Sequence, residues 1–121
     1  RTGEVTRELL GGSATAISIK TARTGFTASQ RVLHECEGLG VEVVMGNQID
    51  GQVGTLCSVA FGAAHRSTAH HAGELSNFLD MTDDLLTEPL TIENGHLRIR
   101  EGAGLGIDID PDKLARYRQD R

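Results

Sequence analysis

Thr15-Ala-Ile-Ser-Ile-Lys20 and, starting 26 residues later, Val41-Glu-Val-Val-Met45 are the two runs whose reading decides the fold. The first alternates, is rich in β-branched residues and ends on a charge. The second is a short apolar run closed by the polar stretch Gly46-Asn-Gln-Ile-Asp50. Each reads as a strand. Between them the turn Arg23-Thr-Gly-Phe26 leads into Thr27-Ala-Ser-Gln30, a capping-box pattern in which the Thr hydroxyl and the Gln side chain can satisfy two orphan backbone donors. A helix is therefore expected from Thr27, with Val32, Leu33 and Cys36 on its buried face. Gly38 reads as its left-handed stop, with Leu39 placed for the accompanying apolar contact. From Gln52 to about His65, Val53, Leu56, Cys57, Ala60 and Ala64 recur at helical spacing among small residues, a pattern suited to close packing on a sheet. Strand, helix, strand, helix in this order predicts right-handed βαβ units and a parallel sheet. The 26-residue repeat is close to the ~31 residues per unit of an eight-unit β/α barrel.

Working outward, Val5, Leu9 and Leu10 fall on one face of an expected helix over residues 4–10, stopped by Gly11-Gly12. A third strand is expected near Ala72, in Ala72-Gly-Glu-Leu-Ser76. Thr82-Asp-Asp-Leu-Leu86 reads as a short helix with acids at its positive end. Beyond Pro89 the texture changes. Two β-prone runs between Leu90 and Ile99 flank Asn94-Gly95, a strong hairpin signal. Asp110-Pro111 then supplies an N-cap and a first-turn proline for a helix from Asp112 to about Arg118. The expected organisation is a barrel-type segment over residues 1–89 and a hairpin and helix over residues 90–121.

The chain has 121 residues with a net charge of −5, and counting glycine as apolar makes about half of it apolar, which is ordinary for a globular domain. The 12 Lys and Arg are scattered against 17 Asp and Glu, so no concentrated positive surface is expected for nucleic acid or an anionic membrane. No apolar run approaches the ~18 residues of a membrane span, and the cytoplasm is the expected compartment. Cys36 and Cys57 lie in apolar helical patterns without a CxxC, and buried reduced thiols are expected.

In parallel α/β folds the reacting groups gather at the carboxyl ends of the strands. Lys20, the Gly46 to Asp50 turn and the stretch Glu74 to Asn77 meet that test. At a strand end, partial desolvation or a neighbouring cation can bring a lysine into the working range of an acid or base; the alternative is a lysine that merely snorkels to solvent. Asp50 can act as an acid, as an acceptor that holds Lys20 or the substrate, or as the N-cap of the helix that follows. Asn47 and Gln48 can bind a carboxylate or only satisfy the turn backbone. Asp108-Ile-Asp110-Pro-Asp112 fails as a calcium loop because the sixth position is Lys113 and the twelfth Gln119. Gly102-Ala-Gly-Leu-Gly106 has the wrong spacing for a dinucleotide fingerprint. No acid or Cys stands at helix-face spacing from His65, His70 and His71, so no metal site is assigned to them.

The strings Ile17-Ser-Ile-Lys-Thr-Ala-Arg-Thr-Gly25, Glu37-Gly-Leu-Gly-Val41 leading to Met45-Gly-Asn-Gln-Ile-Asp-Gly51, Glu74-Leu-Ser-Asn-Phe-Leu-Asp80, Glu88-Pro-Leu-Thr-Ile-Glu-Asn-Gly95 and Gly104-Leu-Gly-Ile-Asp-Ile-Asp110 resemble the C-terminal part of muconate cycloisomerases. These form the muconate lactonizing subgroup of the enolase superfamily. The resemblance runs in order along nearly the whole chain. It implies about strands six to eight of a modified (β/α)8 barrel, with residues 90–121 returning to brace an α+β capping domain. It also implies a homo-oligomer acting on a small carboxylate. Lys20 matches the lysine ending the sixth strand, which faces a Lys-x-Lys pair across the substrate. Together these lysines handle the proton α to a carboxylate, while Mg or Mn stabilises an enediolate. Asp50 matches an acid at the end of the seventh strand, usually Glu, and is the second catalytic candidate. Asn47 and Glu74 are the substrate-binding candidates. Arg23 stands where a second lysine is frequent and is given no catalytic role. The metal-binding carboxylates and the Lys-x-Lys pair are expected upstream of Arg1, so this chain by itself is expected to be inactive. Racemases, dipeptide epimerases and o-succinylbenzoate synthases share the lysine geometry and remain alternatives. So does a non-catalytic half-barrel that pairs through its open edges with itself or with a complementary chain.

Overall fold

β1 (Ala16–Ile19) and β2 (Glu42–Met45) pair in parallel, with Ala16 opposite Glu42 and Ile19 opposite Met45. A computed structural model describes residues 11–12 and 14–120; the helix expected over residues 4–10 lies outside the described residues. Parallel strands require a long crossover, and α1 (Thr21–Leu39) provides it. Its buried residues Ser29, Val32, Leu33 and Cys36 follow one helical stripe, which packs on Ile19, Val43 and Met45 of the strands and on Phe61.

α1 differs from expectation at both ends. It begins at Thr21, directly after the strand, and is interrupted only at Gly25 (φ 71°, ψ 169°). The Thr24 hydroxyl donates to the Lys20 carbonyl (3.3 Å) and pairs with the Ser29 hydroxyl (2.6 Å), so local hydroxyls close this first turn. Thr27 and Gln30 sit on the exposed side within the helix rather than at its start. The left-handed stop is Gly40 (φ 66°), not Gly38. Val41 N–H donates to Cys36 O (2.9 Å) and Gly40 N–H to Glu37 O (3.3 Å), a Schellman arrangement in which Val41, not Leu39, makes the apolar contact with the core.

α2 (Gln52–Ala64) follows β2 as expected, and a short α3 (Arg66–Ala69) leads back to the sheet. The third strand is reduced to one parallel bridge, Gly46 with Glu74, made by Asn47 N–H to Glu74 O and Glu74 N–H to Met45 O (both 2.9 Å). The chain leaves the sheet at once into a 3₁₀ turn at Asn77–Asp80, which limits the ladder to that bridge. Its order is nonetheless that of consecutive βα units, with β2 between β1 and the Glu74 segment.

No helix forms at Thr82–Leu86. Asp83 Oδ1 accepts from Asp84 N–H (2.9 Å) and Asp84 Oδ1 from Leu85 N–H (2.6 Å), side-chain bonds that compete with a helical ladder. Leu86 instead bridges Ile109 antiparallel, flanked by Thr87 N–H to Asp108 O and Asp110 N–H to Leu85 O. Leu86 and Leu90 are buried against Leu56 of α2 and Phe78, with Leu97, Leu105 and Ile107 beside them, so the segments before and after Pro89 share one core. The Asn94-Gly95 turn is as expected: both residues have positive φ (50° and 77°), and Glu93 and His96 exchange backbone bonds. α4 (Pro111–Tyr117) is capped by the Asp110 carboxylate, which accepts from the N–H groups of Asp112 and Lys113.

α4 is tied down by Asp83, whose carboxylate meets Lys113 Nζ (3.0 Å), the Tyr117 hydroxyl (2.8 Å) and Arg116 (3.9 Å). Hydrogen bonds from Lys113 and Tyr117 lower the Asp83 carboxyl from 3.8 to about 2. A lowered folded-state value favours the folded form at all pH above the unfolded value of 3.8 and loses that effect as pH falls through about 2. We expect the Asp83 carboxyl resonance to titrate near 2 in the folded chain and to move up toward 3.8 once Lys113 and Tyr117 are replaced by Met and Phe, with the Asp84 N–H bond keeping part of the lowering.

Candidate active site

Lys20 lies one residue past β1 with its side chain 26% exposed, and its ammonium donates to the main-chain carbonyl of Asn47 (2.5 Å). Its charged neighbour is the Glu74 carboxylate at 3.9 Å. Gly46 lies beside it: a Cβ there would lie 2.5 Å from Ser18 Oγ and, at ordinary contact, 3.4 Å from Lys20 Cε. Ser18, Lys20 and Gly46 thus share one face of the strand ends, as strand alternation requires, and the missing side chain leaves the room that the Ser18 hydroxyl occupies. Three elements meet here, β1 through Lys20, β2 through Asn47 and the bridge segment through Glu74.

Asp50 is placed differently. It is 9% exposed, and its Oδ2 accepts from Gln48 N–H (3.1 Å) across its own turn. The group that holds Lys20 is the Asn47 carbonyl, and Asp50 is not an ion-pair partner of Lys20. Nor does Asp50 cap α2; the N-cap is Gly51, and the first helical N–H, that of Gln52, donates to Asp84 Oδ2 (2.7 Å). Between Gln48 and Asp50 the backbone of Ile49 is left-handed (φ 63°) with its side chain 80% exposed. A β-branched residue there carries strain of about 1–3 kcal/mol, which persists only where surrounding contacts fix the turn.

The Asn47 side chain is buried and turned to α2, where its Nδ2 donates to Thr55 Oγ1 (2.9 Å). Asn47 Oδ1 is buried without a hydrogen-bond partner among the described residues, an uncommon condition. Cys57, two residues along α2 from Thr55, is only half-buried, contrary to expectation. Its thiol is pushed up by burial and then by the negative charge of Asp50. Cys36 is fully buried, and both cysteines are free.

The arrangement brings Lys20, Asn47 and Glu74 together and leaves Asp50 bonded within its own turn. Gly46, Thr55, Gln52 and Asp84 shape the site without having been singled out by sequence. Only Gly46 carried a signal, as the glycine that follows a strand at the level of a strand-end lysine. Among the described residues no group of three or more His, Cys, Asp or Glu side chains is suited to hold a metal ion. Mg or Mn, as implied by the resemblance, therefore does not fit a site on these residues. No described helix is long and apolar enough to cross a membrane.

The parallel strands joined by a crossover helix place the fold among β/α proteins, and the class follows from comparison: the chain belongs to the enolase C-terminal domain-like family, whose model matches residues 2–113. Within that class it resembles muconate cycloisomerases. It is 31% identical over 110 residues to muconate cycloisomerase 1-1 of Acinetobacter lwoffii, covering 91% of this chain and 28% of that protein. Crystal structures of a muconate lactonizing enzyme from Mucobacterium smegmatis, one of them complexed with muconolactone, are 70% identical with a TM-score of 0.94. They cover 98% of this chain, which spans 34% and 32% of theirs. An N-succinylamino acid racemase from Amycolatopsis sp is 30% identical over 104 residues, covering 85% of this chain and 28% of the racemase. The chain thus spans about a third of the length of the relatives it matches.

Proposed function

We propose that this chain is part of a cycloisomerase that interconverts cis,cis-muconate, or a substituted muconate, with a muconolactone, and that Lys20 carries the proton exchanged at the carbon α to the substrate carboxylate. The observation that carries this reading is the placement of Lys20 Nζ at the strand ends, hydrogen-bonded to the Asn47 carbonyl and with the Glu74 carboxylate at 3.9 Å. An ammonium held by a carbonyl has two further N–H directions, one to bind a carboxylate and one to deliver a proton to the α carbon, which leaves the neutral amine. Asn47 contributes its main chain as the acceptor that aims the ammonium. Glu74 shapes the polar rim and competes for Lys20 with an anionic substrate. Asp50, buried and tied to Gln48 N–H, holds the turn from which the Asn47 carbonyl reaches the ammonium. The divalent metal used in the intact enzyme, Mg or Mn, supplies charge stabilisation from residues other than those described here. The 70% identity to a lactonizing enzyme favours muconate over the amino-acid substrates of the racemase branch.

The test is turnover by the full-length enzyme containing this segment, supplied with divalent metal. We expect loss of cis,cis-muconate with formation of a muconolactone, and no comparable racemisation of N-succinyl amino acids. The reverse preference would move the enzyme to the racemase branch. The isolated 121-residue chain is expected to turn over neither substrate, and metal-dependent lactonisation by that chain would overturn the assignment of the metal to other residues.

A further inference from the structure

The turn that carries the Asn47 carbonyl ends on a helix whose N-cap, Gly51, has no side chain with which to satisfy the first N–H groups of α2. The missing cap comes from elsewhere in the chain. Asp84, 32 positions away, places Oδ2 2.7 Å from Gln52 N, while its Oδ1 accepts from Leu85 N–H. The fit is close: a Cβ on Gly51 would come within 2.8 Å of Asp84 Oδ2. Gln52 answers from the other side, its buried side-chain Oε1 accepting the Leu90 N–H at 2.5 Å. Leu86 and Leu90, on either side of this exchange, are buried against Leu56 of α2, so packing fixes where the Asp84 carboxylate stands. An anionic group at a helix N-terminus is further favoured by the helix dipole.

We infer that Asp84 is a positioning residue for the lysine site: by capping α2 from the C-terminal segment, it locks the far end of the Gly46 to Asp50 turn and thereby fixes the Asn47 carbonyl that aims Lys20. The near end of the turn is already held by sheet pairing through Gly46 and Asn47. The middle has one bond of its own, Gln48 N–H to Asp50 Oδ2 (3.1 Å), around an Ile49 that is left-handed with its side chain in solvent. Clamping both ends adds to that bond in holding the strained backbone. Asp84 touches no residue of the lysine cluster, and its effect passes through Gln52 and the turn. The inference rests on the proposed lysine chemistry for its kinetic consequence, but the clamp itself can be measured separately.

The experiment uses the full-length enzyme with Asp84→Ala and Asp84→Asn. The alanine variant removes both acceptor oxygens, whereas asparagine keeps one neutral oxygen that can face Gln52 N–H while its amide nitrogen turns toward Leu85 N–H. Asp84→Ala is expected to lower kcat for muconate by roughly ten- to a hundredfold, the scale of a small misplacement of a reacting group, with KM changed less than kcat. Asp84→Asn should recover part of that loss. In parallel, amide hydrogen exchange at Gln52 and across residues 46–51 should accelerate in the alanine variant and return toward wild type in the asparagine variant, while exchange in α1 stays unchanged. Unchanged exchange at Gln52 in Asp84→Ala would overturn the clamp. Accelerated exchange with kcat intact would overturn its positioning role. If the wild-type enzyme ignores muconate while exchange responds as expected, the substrate assignment fails and the clamp stands.

Discussion

Replacing Lys20 by Ala in the full-length enzyme is expected to lower kcat for muconate by roughly 10²–10⁴-fold, the range of a lost general acid or base. The side chain that disappears is the one whose ammonium reaches the Asn47 carbonyl (2.5 Å), and no described group stands ready to replace it, since Glu74 is an acceptor and Asp50 is tied to Gln48 N–H. Lys20→Arg separates two roles that the alanine change leaves mixed. A guanidinium keeps the positive charge but does not release its proton at working pH. If Lys20 transfers the proton, Lys20→Arg should be nearly as slow as Lys20→Ala. If Lys20 only supplies charge, Lys20→Arg should recover much of the rate. Wild-type kcat in Lys20→Ala would remove Lys20 from the chemistry altogether.

The parts of this structure legible in the sequence are those whose physics is local. The run ending at Lys20 is a strand because alternation and β-branching both favour it. Asn94-Gly95 is a hairpin turn because those two residue types accept positive φ, and Asp110-Pro111 starts a helix because the aspartate side chain reaches the next N–H groups. The place of Lys20 at the end of that strand was likewise readable, since the alternation stops on it.

What escaped the sequence depends on partners far along the chain. Gly38 and Gly40 are equivalent as letters, and the choice between them follows from where Val41 must sit to pack on the core. Thr82–Leu86 has a helical pattern, but Leu86 is drawn into pairing with Ile109 and Asp84 into capping α2, so no helix forms there. The stretch at Glu74 has a strand's sequence yet holds only one bridge, since the 3₁₀ turn after Ser76 takes the chain off the sheet. The partner of Lys20 was hidden for a further reason. It is a backbone carbonyl, which every residue possesses, whereas a sequence draws attention to the charged Asp50. Asp50 was the natural candidate to hold the lysine, and it is occupied by its own turn.

Leu33→Ala is expected to destabilise the fold by about 2–5 kcal/mol, the usual cost of emptying a fully buried leucine site. Leu33 is 0% exposed and lies among Ile19, Val32, Cys36, Val43, Met45 and Phe61, where it joins the crossover helix to both strands and to α2. Ile19 is the residue immediately before Lys20, so the cavity would open directly behind the strand end that places the ammonium. Leu39 is the matched control, a leucine on the same helix but 42% exposed, for which Ala should cost within about 0.5 kcal/mol. Urea unfolding of the two variants beside wild type reads the difference as a shift in midpoint at constant slope. Equal midpoints for the two variants would mean that α1 does not bury the Val32, Leu33 and Cys36 stripe against the sheet, and the crossover would then lack the packing that holds Lys20 in place.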